Sequence, residues 1–367
     1  MFTNEMKRYL LYILCLTTLV SLPLNAASEK AASEKDINVR EIILSEITDS
    51  YEWHITTWGN KPISVPLPVI VHSKTSGWHI FMSSKFEEQP VYKGFYIAKE
   101  GKYKDKIVEL DENGKEVRPL DISLTKTATA LIFNSVLLII LIMSIAHYYK
   151  KDGIFPKKGF VILMEMLIMD IYEGVIKPSI GKDYRRYAPY LLTVFFFIFL
   201  NNLMGLIPFF PFGATVTGNI AITLTLALCT LLIVNFSGTK EYWKEIFWPE
   251  VPAWLKVPVP LMPAVEFIGI FTKPFALMIR LFANIVGGHS IVGGLVCLVF
   301  VTVKLGTTIN ITMSALSVIF TVFIDLIELL IAYIQAYIFT MLSAVFIGLA
   351  RVEPSHKPVA KETVKQV

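Results

Sequence analysis

Glu266, Lys273, Arg280, Asn284 and His289 interrupt an otherwise apolar run, LMPAVEFIGIFTKPFALMIRLFANIVGGHSIVGGL. At about 100° per residue along a helix, Glu266, Lys273, Arg280 and Asn284 fall within about 40° of one another. They make one polar stripe if Pro274 only kinks the helix, and His289 faces the opposite side. A guanidinium cannot neutralise itself by losing its proton. Holding one at membrane depth costs about 2.5–3.5 kcal/mol on insertion scales. Unless it snorkels to the interface, such a residue is kept for function. A second apolar run carries Asp325, Glu328 and Gln335 within roughly 80° of one face, with Tyr333 and Tyr337 near them in sequence. Its two acids have no cation on their own helix, so they need partners on another, and His289 and Arg280 are the obvious ones. A permanent positive charge, a carboxylate and an imidazole between facing helices make a proton path. The plainer alternative is a structural ion pair that glues helices together.

Enzyme chemistry finds no support. Gly287-Gly288 and Gly293-Gly294 lie inside an apolar run, where glycines permit close helix packing, and cradle no phosphate. The chain contains no GxSxG or HExxH sequence. His54, His72 and His79 match no ligand spacing, and Cys15, Cys229 and Cys297 sit in apolar runs, so neither a metal nor a cofactor is expected.

Long apolar elements must position these residues. The chain has 367 residues, 54% hydrophobic and 17% charged, with a mean hydropathy of +0.57. A soluble domain carries about 25% charge. Five passes are expected, at 127–147, 187–207, 217–236, 261–303 and 307–350. The last two are about twice the roughly 20 residues that cross a bilayer. Each is either a hairpin or one strongly tilted helix. No Gly or Pro breaks 307–347, which favours a single long helix there. Between the first two passes, 160–180 is interrupted by Glu165, Asp170, Glu173 and Lys177 and closed by Pro178, as an interfacial amphipathic helix would be.

Ahead of the membrane domain (126–352), residues 1–27 have the three parts of a secretory signal: Lys7 and Arg8, an apolar stretch, and a small-residue end at Ala26-Ala27. An uncleaved anchor is the other possibility, and either one exports the segment 28–125. That segment opens on a polar linker. It continues as a small β-rich domain, with strands expected at 52–58, 63–72, 78–86, 94–98 and 106–110 and turns at Gly59-Asn60, Ser76-Gly77 and Asn113-Gly114. Lys150, Lys151, Lys157, Lys158, Lys240, Lys244, Lys256 and Arg351 crowd the loops that would be cytoplasmic, and 353–367 is a cytoplasmic tail. The expected fold is thus an α-helical polytopic membrane protein with two long tilted helices and an interfacial helix, preceded by an exported β-rich domain. The net charge of +4 is spread out and gives no case for nucleic acid.

Three motifs resemble those of subunit a of the F-type ATP synthase. They are Arg280-Leu-Phe-Ala-Asn284, Asn202-Leu-Met-Gly205-Leu-Ile-Pro208, and Glu328 to Gln335 with the Ala-Tyr-Ile-Phe after it. The resemblance implies a non-catalytic inner-membrane subunit that passes protons through two offset half-channels against a ring of c subunits, held by the peripheral-stalk b subunits within membrane lipid. It implies that Arg280 meets the ring carboxylates, with Asn284 and Gln335 beside it. His289, Glu328 and the neighbouring Asp325 would belong to the access path, and Glu266 and Lys273 to the exit. One bacterial form of the family has an acid where this chain has His289 and a histidine where it has Glu328, so the pair is expected to act as a unit. A secondary ion transporter is the alternative, but the internal repeat usual in such proteins is not visible. A membrane anchor whose exported domain does the work would leave Arg280 unexplained.

Overall fold

The computed structural model describes residues 49–58, 61–74, 76–98, 101–111, 114–152, 159–207, 212–247, 261–303 and 306–351. The signal-like segment, the polar linker, Pro208 and the C-terminal tail lie outside them.

Three small sheets build the N-terminal part. β1 (Glu52–Trp58) and β2 (Lys61–Pro66) form an antiparallel hairpin. β3 (Pro68–Ser73) lies between β4 (Gly77–Met82) and β8 (Leu120–Asp121), and β6 (Ile107–Leu110) lies between β5 (Phe95–Ile97) and β7 (Glu116–Val117). In β3 the side chains alternate, with Val69, Val71 and Ser73 buried. With Tyr51, Phe81, Phe95 and Ile107 the two valines form one core. The single strand expected at 63–72 is two strands in the structure. Pro66 and Pro68 flank Leu67 and cannot donate to a ladder, so the chain changes partner there. Leu67 instead exchanges bonds with Ser83: its N–H donates to Ser83 Oγ at 3.0 Å, and the Ser83 N–H donates to its carbonyl at 3.0 Å. The expected strand at 78–86 stops at Met82, because Ser83 takes a helical conformation and starts the short helix α1 (Ser84–Glu88).

α2 (Lys126–Asp152) comes after the sheets without a break. Then come α3 (Phe160–Met169), a π-helical stretch (Asp170–Ile176), α4 (Lys177–Ile180), a 3-10 turn (Gly181–Asp183) and α5 (Tyr184–Gly205). Pro178 does not close the 160–180 helix as expected. The helical backbone runs past it to Ile180. The interruption comes at Gly181, whose φ of 75° suits a residue without a Cβ. α6 (Ile220–Ser237), the amphipathic α7 (Lys240–Phe247), α8 (Leu261–Thr302) and α9 (Thr307–Ala350) complete the chain.

Five helical stretches are long and apolar enough to cross a membrane: Lys126–Lys150, Phe160–Gly205, Ile220–Ser237, Ala264–Thr302 and Thr307–Ala350. α8 has 42 residues and α9 has 44, each as one continuous helix. At 1.5 Å per residue each is roughly twice as long as the ~30 Å hydrocarbon core is thick. Large apolar side chains such as Ile139, Met143, Ile319 and Phe323 are exposed along α2 and α9, as lipid-facing surfaces require.

The chain divides into two compact units. The first comprises Met1–Ile154, Phe196–Ile222 and Leu281–Gln335. Within it Trp53 packs with Ala130, Ala214 and Val216, so β1 seats on α2 and on the segment before α6. The second comprises Phe155–Phe195, Thr223–Arg280 and Ala336–Val367. There Tyr190 and Thr230 share a hydrogen bond of 3.0 Å, Arg351 pairs with Asp183, and the Gly348 backbone passes against the Ser179 carbonyl where no side chain would fit.

Candidate functional site: two polar clefts and an unpaired arginine

In the first unit α5, α8 and α9 each bring a polar face to one cleft. Asn201, Asn202 and Gly205 come from the end of α5, and Thr215 and Thr217 from the segment after it. Asn284 and His289 come from α8, and Glu328 from α9. An arginine-rich or acidic cluster would repel itself here. Instead one imidazole and one carboxyl share the space with amides and hydroxyls.

The amides are tightly positioned. Thr217 Oγ1 donates to Asn202 Oδ1 at 2.6 Å, and Asn134 Nδ2 on α2 donates to Asn201 Oδ1 at 3.0 Å. Asn201 Nδ2 in turn donates to the Phe197 carbonyl at 2.8 Å. Three buried atoms of this group keep no hydrogen-bond partner among the described residues: Asn134 Oδ1, Asn202 Nδ2 and Glu328 Oε1. Leaving such a group without any partner costs about 1–3 kcal/mol, and water is the usual remedy in a polar space. Gly288 makes the seat for the acid. A Cβ built there would run into the Glu328 carboxyl, so the missing side chain lets that carboxyl lie on the α8 backbone. Asp325, a turn before Glu328, is half-buried.

The second unit holds its own cleft, lined by Thr230, Asn235, Tyr242, Lys273, Pro274 and Phe346 among others. The Lys273 ammonium stands 5.8 Å from the centre of the Phe346 ring. Asn235 Oδ1 is buried with no partner among the described residues. The Tyr242 phenol is pushed above its ordinary pKa, first by burial and then by the nearby Glu266 charge. Glu266 is itself half-buried on α8.

Arg280 is exposed and has no hydrogen bond or ion pair among the described residues. Along α8 it falls between the second cleft's Lys273 and the first cleft's His289 in sequence. Gln335 is buried on α9. Asn202 and Gly205 line the first cleft, while Pro208 of the same motif is outside the described residues. Asn134, Asn201, Thr217, Asn235 and Tyr242 did not stand out in the sequence. An asparagine inside an apolar run was the one available signal, and it points to Asn134, Asn201 and Asn235. Of the three histidines in the β-rich part, His72 meets Trp78 edge-on at 4.7 Å and His79 Nε2 lies 2.9 Å from Ser76 Oγ, while His54 falls in β1.

A family model described as ATP synthase A chain matches residues 129–348, and one described as a domain of unknown function (DUF8433) matches 42–124. The chain is 43% identical over 244 residues to ATP synthase subunit a of Chlorobium phaeobacteroides (strain DSM 266), covering 64% of this chain and 67% of that protein. It is 40% identical over 248 residues to ATP synthase subunit a of Chloroherpeton thalassium, covering 66% and 70%. With ATP synthase subunit a of Myxococcus xanthus it shares 38% identity over 252 residues, covering 66% and 78%.

Proposed function

Because this chain belongs to the ATP synthase A chain family, we propose that it translocates protons in the membrane sector of an ATP synthase, through two offset half-channels against a rotating ring of c subunits. The first cleft serves as the access path, with His289 and Glu328 handing protons inward past Asn284. The second serves as the exit, with Glu266, Tyr242 and Lys273 at it. Arg280 keeps the two apart. The single observation that carries this reading is the order along α8: the exposed Arg280, with no ion pair among the described residues, comes in sequence between residues that line two different polar clefts.

The chemistry rests on the charges. A carboxyl carried through lipid stays protonated, because its ion is costly there. Beside Arg280 it gives up that proton, because an opposite charge a few ångströms away favours the ionised form. Gln335, on α9, flanks that encounter. One proton crossing 100 mV releases about 2.3 kcal/mol, so several must be accumulated for each ATP, and a turning ring does that. The subunit moves protons and carries out no bond chemistry of its own. The lysine-rich loops support a cytoplasmic C-terminus and a periplasmic β-rich domain, and the b subunits of the stalk would hold the chain against rotation.

The test is Arg280→Ala in the intact complex, measured as proton-driven ATP synthesis in vesicles. Synthesis lost with the complex still assembled supports the reading. Synthesis at the parent rate overturns it.

A further inference from the structure

We propose that the outer face of the β4-β3-β8 sheet lies on the outer leaflet of the bilayer that this chain spans, as a second, non-spanning membrane contact. The register sets the composition of this face. Met82 pairs with Pro68, Ile80 with Ile70, Trp78 with His72, and His72 with Leu120. Side chains alternate along a strand, so Trp78, Ile80, Met82, Ile70, Leu120 and Ile122 share one side with the His72 imidazole. Trp78, Ile80, Met82, Leu120 and Ile122 are 45–70% exposed. The opposite side carries Val69, Val71 and Phe81, which are the domain's core. Both faces of the sheet are therefore mainly apolar, and only one has a protein partner among the described residues. A contiguous apolar patch of this kind marks a binding or membrane surface.

The way the sheet is tied to the membrane helix identifies the occupant. Ile122 lies four residues before Lys126, the first residue of α2. No slack separates them. The Ile122 N–H donates to the Ile70 carbonyl, the Leu124 N–H to the Pro68 carbonyl at 3.1 Å, and the Lys126 N–H to the Ser50 carbonyl at 2.8 Å. The Thr127 N–H donates to Asp49 Oδ1 at 3.0 Å. The chain leaving β8 is thus bonded to β3 as far as Leu124, and the first turn of the spanning helix is bonded to Ser50 and Asp49, just before β1. Exposed apolar side chains occur again on α2, from Ile132 and Phe133 onward. Among the described residues no carboxylate stands on the face: Asp121 turns to the other side, where it accepts the Tyr51 hydroxyl. At the far end, where β3 finishes and β8 starts, Lys74 and Arg118 are exposed. Long cationic side chains there can reach lipid phosphates while their stems cover apolar surface. Trp78, held edge-on by His72, has the amphipathic ring favoured at the membrane interface.

The contact rests on α2 spanning the membrane and not on the proton path, so its failure leaves the proposed function standing. Single cysteines replace Ile80, Leu120 and, as control, Lys115 in the full chain freed of its own three cysteines. Each is labelled with an environment-sensitive fluorophore. The assembled complex is placed in vesicles of phosphatidylcholine and phosphatidylglycerol, with or without brominated acyl chains. At least twofold quenching of the labels at 80 and 120, with none at 115, supports the proposal. Labels at 80 and 120 that bromine leaves unchanged overturn it. If aqueous iodide reaches them the face is bare, and if iodide does not reach them a protein covers it.

Discussion

The Glu328 carboxyl lies against the backbone of Gly288, in the space where any other residue would carry its Cβ. The contact fixes how far the acid can reach along the cleft it shares with His289 and Asn284. Gly288→Ala forces the carboxyl out of that seat, and overpacking of this kind costs about 1–3 kcal/mol. ATP-driven proton pumping in vesicles is expected to fall by about tenfold. Shortening the acid makes room again, so Gly288→Ala with Glu328→Asp is expected to pump better than Gly288→Ala alone. Neutral behaviour of Gly288→Ala refutes the seat.

The Asn202 carbonyl oxygen accepts from Thr217, leaving its amide nitrogen turned to the cleft without a partner among the described residues. Thr217→Val keeps the shape and removes the donor. The asparagine is then free to flip, and the amide no longer presents a fixed N–H. A stability loss of about 1–3 kcal/mol is expected in thermal unfolding of the purified chain. Pumping is expected to drop more in Thr217→Val than in Thr217→Ser, which keeps the hydroxyl.

In the β-rich part, the Tyr51 hydroxyl donates to Asp121 Oδ2 at 2.5 Å. Burial, the bond and the Asp121 charge together push the Tyr51 phenol above its usual range. A pKa raised by folding means that the neutral phenol stabilises the fold at all pH values below about 10, the unfolded value. That contribution is lost as pH rises above about 10. Tryptophan fluorescence of the full chain, in which Trp53 is close in sequence, is expected to report a loss of packing between pH 10 and 12. Tyr51→Phe should be less stable at pH 8 and show a flatter alkaline profile. An unchanged profile in Tyr51→Phe removes the phenol as its source.

Length and apolarity made the spanning segments legible, and the absence of Gly or Pro from 307–347 made α9 legible as one long helix, which has 44 residues. These are properties of a single segment. What a segment does with its neighbours was harder to read. Leu67 and Ser83 are 16 residues apart, and the bond between them ends one strand pairing and starts another. Pro66 and Pro68 hinted at the break, without naming the new partner. A helical wheel sets Asn284 and His289 about 140° apart, yet both line one cleft. The wheel gives angular phase on a cylinder and says nothing of how wide a gap the facing helices leave. Gly287-Gly288 read as a place for close packing, but only Gly288 faces a neighbour: a Cβ on Gly287 meets nothing within 4 Å.

His289 and Glu328 share a cleft whose other polar residues are amides and hydroxyls. One basic and one acidic group are therefore present, from different helices. If they pass a proton as a pair, their chemistry depends on both being there and much less on which helix carries which. His289→Glu alone leaves two carboxyls facing each other, and like charges in a low-dielectric space resist ionising together. Glu328→His alone leaves two imidazoles and no acid, while its ring must fit beside Gly288. Each single change is expected to reduce proton-driven ATP synthesis by an order of magnitude or more. The double exchange restores one of each, and is expected to recover several-fold over the better single change. It will not reach the parent rate, because Gly288 is shaped for a carboxyl and not for a ring. A double exchange no better than either single change shows that the two residues act separately.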